Sequence, residues 1–320
     1  MRIGFHASHE QVHPATLRDA AVRAEAAGFD AVMCSDHLAP WSEAQGHSGY
    51  TWAWLGAALQ ATDHVPMGSF HAPGQRYHPV ISAQAMATVA AMFPGRLPWV
   101  ALGSGQALNE HVTGAAWPVK SDRMERLREC VDVMRALWAG QEVTHRGHIV
   151  VDRARLWSLP DEPPRLIAGA ISEATASWAA GWADGLITVN QPRDTLRRIV
   201  VAYREAGGRG DLHLQVHLAH GADDGAALDV AYEQWRSNCV PTVLAWDLEL
   251  PAQFEAATRH VPRAAVAENV RVSADLGRHA AWLREDLELG FDELYLHHVG
   301  QEQEAFIDAF GAGVLPELRA

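Results

Sequence analysis

Four short stretches of the chain carry residue types able to do chemistry. Ser35-Asp36-His37-Leu38-Ala39-Pro40-Trp41 gathers an acid, an imidazole and an indole. Histidine exchanges protons near neutral pH, a carboxylate can anchor or orient a partner, and an indole offers a flat apolar wall. A helix cap followed by an ordinary exposed histidine is the simpler alternative. Against it, the chain runs on to Pro40 and Trp41 rather than into a helix. In Gly103-Ser104-Gly105-Gln106-Ala107-Leu108-Asn109-Glu110, the glycines let backbone approach a ligand, and Asn109 brings a two-sided amide. The stretch matches neither a GxGxxG nor a GK[ST] phosphate loop, so a plain strand-to-helix turn fits as well. Gly169, Ala170 and Ser172 lead from an apolar run into a helical one, where free N–H groups suit an anionic phosphate or need only an ordinary cap. Finally, His6, His37, His217 and His298 could converge on a metal ion. Yet no HxH pair is present, since His6 and His9 are three apart, and several of the four lack an acid beside them. No metal is expected.

Composition narrows the partners. A net charge of -13 with no basic stripe argues against nucleic acid or an anionic membrane. Cys34, Cys130 and Cys239 are scattered and show no CxxC spacing, so neither a disulfide framework nor a zinc-thiolate site is indicated. No signal peptide opens the chain, and no apolar run approaches the roughly 18 residues that a membrane helix needs. A soluble cytoplasmic protein is expected.

The elements that must position these residues alternate almost throughout. Apolar runs such as "RIGFHAS", "AVMCS", "VPMGSFHA" and "LPWVALGSG" are each followed by helical spacing, and "RLIAGA", "ADGLITV", "LHLQVHLAHGA" and "ELYLHHVG" supply four more. Eight strand–helix units, with a helix at about 302–313 after the last, predict a single (β/α)₈ TIM barrel over 1–320 rather than a doubly wound sheet. Two long segments, about 141–164 and 234–272, are expected as insertions over the carboxyl-end face. In such a barrel the site lies at the carboxyl ends of the strands, where all four stretches fall.

Taken together, "GFHASHEQ", "SDHLAPW", "GQRYHPVISAQA", "GSGQALNEHVTG", "LRECVDVMRALWAG", "WADGLIT" and "FGAGVLPEL" resemble the luciferase-like flavin and deazaflavin oxidoreductases. The resemblance spans nearly the whole chain and is strongest to the branch of F420-dependent glucose-6-phosphate dehydrogenases. It implies that Asp36 binds the cofactor, that His37 is the acid/base group and that Trp41 walls the substrate. It further implies cofactor contacts from Ser104, Gly105 and Asn109, with phosphate held by Gly169, Ala170 and Ser172. At Ser69 and Phe70, relatives carry a bulge with a non-proline cis peptide behind the ring.

Departures from that branch matter as much. Gln106 stands where the dehydrogenases have a glutamate, Pro192 where a lysine is expected, and Asn269 near an expected arginine, with Arg271 close by. A sugar phosphate dianion needs several cationic donors, so glucose 6-phosphate is not expected as substrate. The resulting expectation is an oxidoreductase or monooxygenase that binds FMN, or alternatively coenzyme F420. It would act by hydride transfer or oxygen activation, with a flavin reductase or NAD(P)H as reductant, and form a homodimer. Its organic substrate would lie under Trp41, Trp52 and Trp54, although helical tryptophans are ordinarily core. A barrel metallohydrolase and a non-catalytic flavin-binding protein are the rival readings.

Overall fold

The computed structural model describes residues 1–319. Its strands are β1 Arg2–Ala7, β2 Ala31–Cys34, β3 Met67–His71, β4 Trp99–Leu102, β5 Val143–Arg146, β6 Val150–Ala154, β7 Arg165–Gly169, β8 Gly185–Val189, β9 Asp211–Ala219, β10 Arg271–Val272 and β11 Glu293–His298. Parallel pairing runs β11-β1-β2-β3-β4-β7-β8, and β9 pairs with both β8 and β11. The sheet therefore closes on itself as an eight-stranded barrel, with β5 and β6 a separate antiparallel hairpin.

Helices fill the crossovers: α1 Pro14–Ala26, α2 Thr51–Ala61, α3 Pro79–Met92, α4 Ala107–Glu110, α5 Lys120–Trp138, α6 Glu173–Ala179, α7 Arg193–Glu205, α8 Asp224–Trp235, α9 Thr242–Ala245, α10 Pro251–Thr258, α11 Arg263–Val266, α12 Leu276–Leu287 and α13 Gln303–Arg319. Their starts follow local chemistry. Proline opens α1 and α3 at a position where its fixed φ costs nothing, and Asp223 and Asp275 cap α8 and α12 through their side chains. The last helix runs past residue 313 because Val314 and Leu315 continue the buried face of Phe306, Ile307 and Phe310.

Inside the barrel, Ala31, Met33, Trp99, Ala101, Ile167, Ile187 and Tyr295 form one cluster. Large and small residues alternate around it. A Cβ on Gly68 would run into the Trp99 indole, so glycine there is a packing requirement.

Of the two insertions, only residues 234–272 cover the strand ends. Val240 and Phe254 pack on Leu108 and Trp41, and the Trp246 carbonyl accepts the Ala107 N–H at 3.0 Å. The hairpin in 141–164 departs from expectation. It follows the far end of α5 and folds back along that helix, with Glu129 accepting from Ile149 N at 3.1 Å and paired to His145 at 2.9 Å. A segment that starts at the amino-end face reaches the flank of α5, not the mouth.

Candidate functional site

His37 follows β2 and keeps 15% of its side-chain surface exposed at the carboxyl end of the barrel. Its Nδ1 lies 3.4 Å from Oε1 of Glu10, a carboxylate that is almost wholly buried. Ser8 Oγ at 2.9 Å and Ser35 Oγ at 2.6 Å both donate to Glu10 Oε2. Burial pushes the Glu10 carboxyl up, but His37 and the Ser35 hydroxyl outweigh it and hold the group below its ordinary range. A fixed negative charge thus stands behind the imidazole. The Trp41 indole packs beside His37, with ring centroids 5.0 Å apart, and its other side rests on Phe254 from the insertion.

Asp36 points the opposite way, into protein. His71 Nδ1 meets its Oδ2 at 2.6 Å, the Tyr77 hydroxyl donates to Oδ1 at 3.0 Å, and Arg76 reaches Oδ1 at 3.4 Å. His71 Nε2 in turn meets Ser82 Oγ at 2.8 Å on α3. Burial raises the Asp36 carboxyl, yet His71 and Arg76 bring it below the ordinary value. Its carboxylate fastens the loop after β2 to β3 and α3, which makes Asp36 the anchor of His37. Arg76 also approaches Glu110 at 3.7 Å, and burial raises that second carboxyl.

Asn109 has a similar inward task. Its Oδ1 accepts from Leu38 N at 2.8 Å and Ala39 N at 3.3 Å, while its Nδ2 donates to Gln106 Oε1 at 3.3 Å. Gln106 and Asn109 together clamp the His37–Trp41 loop from the β4 side. Ser104 and Gly105 are half-buried at the rim, and Gly105 has a φ of +87°, a conformation that favours glycine.

Phe70 occupies the top of the barrel interior. A Cβ on Gly103 would lie 2.9 Å from its ring, and a Cβ on Gly169 would collide with it outright. Those two glycines make room for an aromatic side chain, so their presence has a packing cause in addition to any ligand. The Ser69–Phe70 bond is trans and lies in unbroken parallel register with Val100 and Ala101, where a cis bulge was expected. Ser172 caps α6 through Thr175 N at 3.4 Å, and Ala170 N–H is used by the Ile187 carbonyl. Lys120, the sole lysine of the chain, reaches Thr175 Oγ1 at 3.5 Å.

Across the mouth stand imidazoles. His6 and His297 rings are 4.4 Å apart, His217 and His297 5.3 Å, and Trp235 packs on both His217 and His297 at 4.8 and 4.7 Å. Burial lowers His6 to about 4 and His217 to about 3, and takes His297 well below its ordinary value, so all three are neutral at pH 7. His298 leaves this group. Side chains alternate along β11, and His298 stacks instead on Phe306 of α13. Among the described residues, no three His, Cys, Asp or Glu side chains are arranged to hold a metal ion.

Trp52 and Trp54 are not substrate walls. Trp54 is buried, with Nε1 donating to the Pro14 carbonyl at 3.1 Å, and Trp52 supports His71. Glu10, Arg76 and Tyr77 lie in motifs that carry the resemblance, and His71 ends an apolar run, yet their roles depend on contacts between segments that no spacing rule encodes.

Residues 1–306 match the luciferase-like monooxygenase family model. A relative in Nakamurella multipartita, an F420-dependent glucose-6-phosphate dehydrogenase, is 35% identical over 100% of this chain and 97% of its own length. The chain belongs to the luciferase-like monooxygenase family. Among solved structures, an F420-dependent secondary alcohol dehydrogenase in complex with an F420-acetone adduct superposes with a TM-score of 0.92 at 31% identity, covering 100% of this chain and 99% of that one. The F420-dependent tetrahydromethanopterin reductase of Methanopyrus kandleri, at 18% identity and a TM-score of 0.78 over 99% of both chains, shares the fold. At the mouth of this luciferase-like oxidoreductase, the half-buried Phe70 ring lies against Gly103 and Gly169, with Ser104 and Gly105 half-buried beside it. Among the described residues, no helix is long and apolar enough to cross a membrane.

Proposed function

We propose that the chain is an F420-dependent oxidoreductase acting on an uncharged organic substrate, with His37 as its proton-transfer group. The pairing of His37 with buried Glu10, beside Trp41 at the mouth, is the observation that carries this reading. When bound, the deazaflavin would accept or supply the hydride. Phe70, Ser104, Gly105 and Gly169 would lie against its ring, with Ala170, Ser172 and Lys120 toward its phosphate. His37 would take the hydroxyl proton of an alcohol under oxidation, or return it to a carbonyl in reverse, through Nε2. Glu10 orients that imidazole from the Nδ1 side. The indole of Trp41, backed by Phe254, excludes water beside that proton.

F420 is preferred to FMN because full-length relatives above 30% identity carry F420 in their names. Titrating the apoprotein with F420, FMN and FAD tests the choice, and tight FMN binding without F420 binding would reverse it. A homodimer, measured by light scattering, belongs to the same proposal.

Glucose 6-phosphate is not the proposed substrate. Pro192 is the N-cap of α7 where a cation was expected, the Asn269 carbonyl accepts from Asn190, and Arg271 forks onto Asp286 at 2.6 and 2.8 Å. An arginine held in that way is not free for a dianion. Efficient F420 reduction by glucose 6-phosphate would refute this.

A further inference from the structure

The neutral imidazole side of the mouth has a hydrogen-bond order that can be followed atom by atom. Gln11 Nε2 donates to the Val299 carbonyl, which turns its Oε1 toward His297 Nε2 at 2.6 Å. That oxygen can only accept, so the His297 proton is on Nε2 and its Nδ1 is an acceptor. Gln215 Nε2 meets His297 Nδ1 and His217 Nε2, both at 3.2 Å, and donates one proton to each. His217 consequently carries its proton on Nδ1. Two valences stay open at the end of the chain, the Gln215 Oε1 acceptor and the His217 Nδ1–H donor. No other group among the described residues takes them.

Gln215 and His217 are also the members of this chain that keep partial exposure, whereas Gln11, His6 and His297 are buried. Beside them, His6 Nδ1 is buried without a partner. The open Gln215 acceptor and the open His217 donor can each be met by a hydroxyl group, which offers one donor and one acceptor. They do not match a carboxylate or phosphate, which only accepts when ionised and needs a counter-charge. Two arginines beside the strand ends are committed elsewhere, Arg76 to Asp36 and Glu110, Arg271 to Asp286.

We propose that Gln215 and His217 form a subsite for an uncharged hydroxyl group of the substrate, distinct from the group served by His37. The subsite rests on the reading of this mouth as the place where substrate binds. The substrate class that follows is a small neutral molecule with a second hydroxyl some distance from its reacting carbon. His217 is then a specificity residue, and the His6–His297–Gln11 layer behind it fixes the tautomer on which recognition depends.

The test is equilibrium binding to the whole protein, with and without F420, followed by ligand-observed NMR. The probes are cyclohexanol, the 1,2-, 1,3- and 1,4-cyclohexanediols, and cyclohexyl phosphate. At least one diol should bind about tenfold more tightly than cyclohexanol, the weight of one good neutral hydrogen bond. Cyclohexyl phosphate should bind more weakly than cyclohexanol. His217→Phe should erase the diol advantage and spare cyclohexanol, and His217→Asn, which keeps a donor near Nδ1, should retain most of it. Melting curves confirm folding, and Gln215→Leu replaces His217→Phe if the latter does not fold. Equal binding of alcohol and diols by the wild type, or a diol advantage that survives both His217→Phe and Gln215→Leu, would overturn the subsite. A diol advantage in protein that fails to bind F420 would support the subsite and count against the cofactor reading alone.

Discussion

The half of the mouth built by β2, β3, β4 and β7 is shaped by side chains that are missing, the other half by side chains that saturate one another. On the first side, Gly103 and Gly169 leave the space that the Phe70 ring fills. On the second, His6, His217 and His297 stack and are tied by Gln11 and Gln215. One surface is therefore a matter of volume, the other of protonation and hydrogen-bond order. His37 and Glu10 sit at the seam, between β1 and β2. The lesson is that opposite walls of one barrel mouth can be set by different physics, volume on one and hydrogen-bond order on the other.

The largest expected effect lies at the seam. His37→Asn should keep cofactor occupancy, followed by absorbance, and lose turnover by roughly 10²–10⁴-fold, the weight of one acid/base group. Normal turnover in that variant would remove His37 from the chemistry. Next comes the imidazole wall. His6 and His217 titrate at about 4 and about 3 in the folded protein, against about 6.5 unfolded. The unfolded chain therefore binds more protons below pH 6.5, and stability is lost as pH falls from there toward 4. Each such histidine costs up to about 1.4 kcal/mol per pH unit across that window. Denaturant unfolding at pH 7.5, 6 and 5 checks the slope, and a flat profile would contradict neutral burial.

The glycine wall should respond to volume instead. Gly169→Ala is expected to destabilise by about 1–3 kcal/mol through overpacking on Phe70, at every pH. Phe70→Leu should recover part of that loss in the double variant, a coupling that a double-mutant cycle measures. Additive losses would mean that the two residues do not share the space. This steric role also means that a bulky substitution at Gly169 cannot by itself locate a phosphate. The smallest effect is assigned to Gln106→Ala. Its amide holds Asn109 and cannot titrate, so turnover should fall by less than about tenfold. A dead Gln106→Ala enzyme would shift the chemistry from His37 to the β4 side.

Legibility followed the range of the interaction. Strand and helix order came from local periodicity, and the carboxyl-end rule then put all four motifs on one face. The direction of individual side chains did not follow. Asp36 and Asn109 were expected to touch cofactor, but they hold the loop that carries His37 and Trp41. Trp52 and Trp54 were offered to substrate and are buried supports. A polar residue in a site motif can serve ligand or scaffold, and its type is the same in both.

By itself, the sequence determined the (β/α)₈ order, because apolar period and turn residues act over a few neighbours. The partner of each polar group was decided only by tertiary structure. Glu10 reaches His37 across 27 residues, His71 reaches Asp36 across 35, and Gln11 reaches His297 across 286. Such pairs form when sheet assembly sets β2 between β1 and β3 and barrel closure sets β1 beside β11, and closure is a property of the whole sheet that no local stretch encodes.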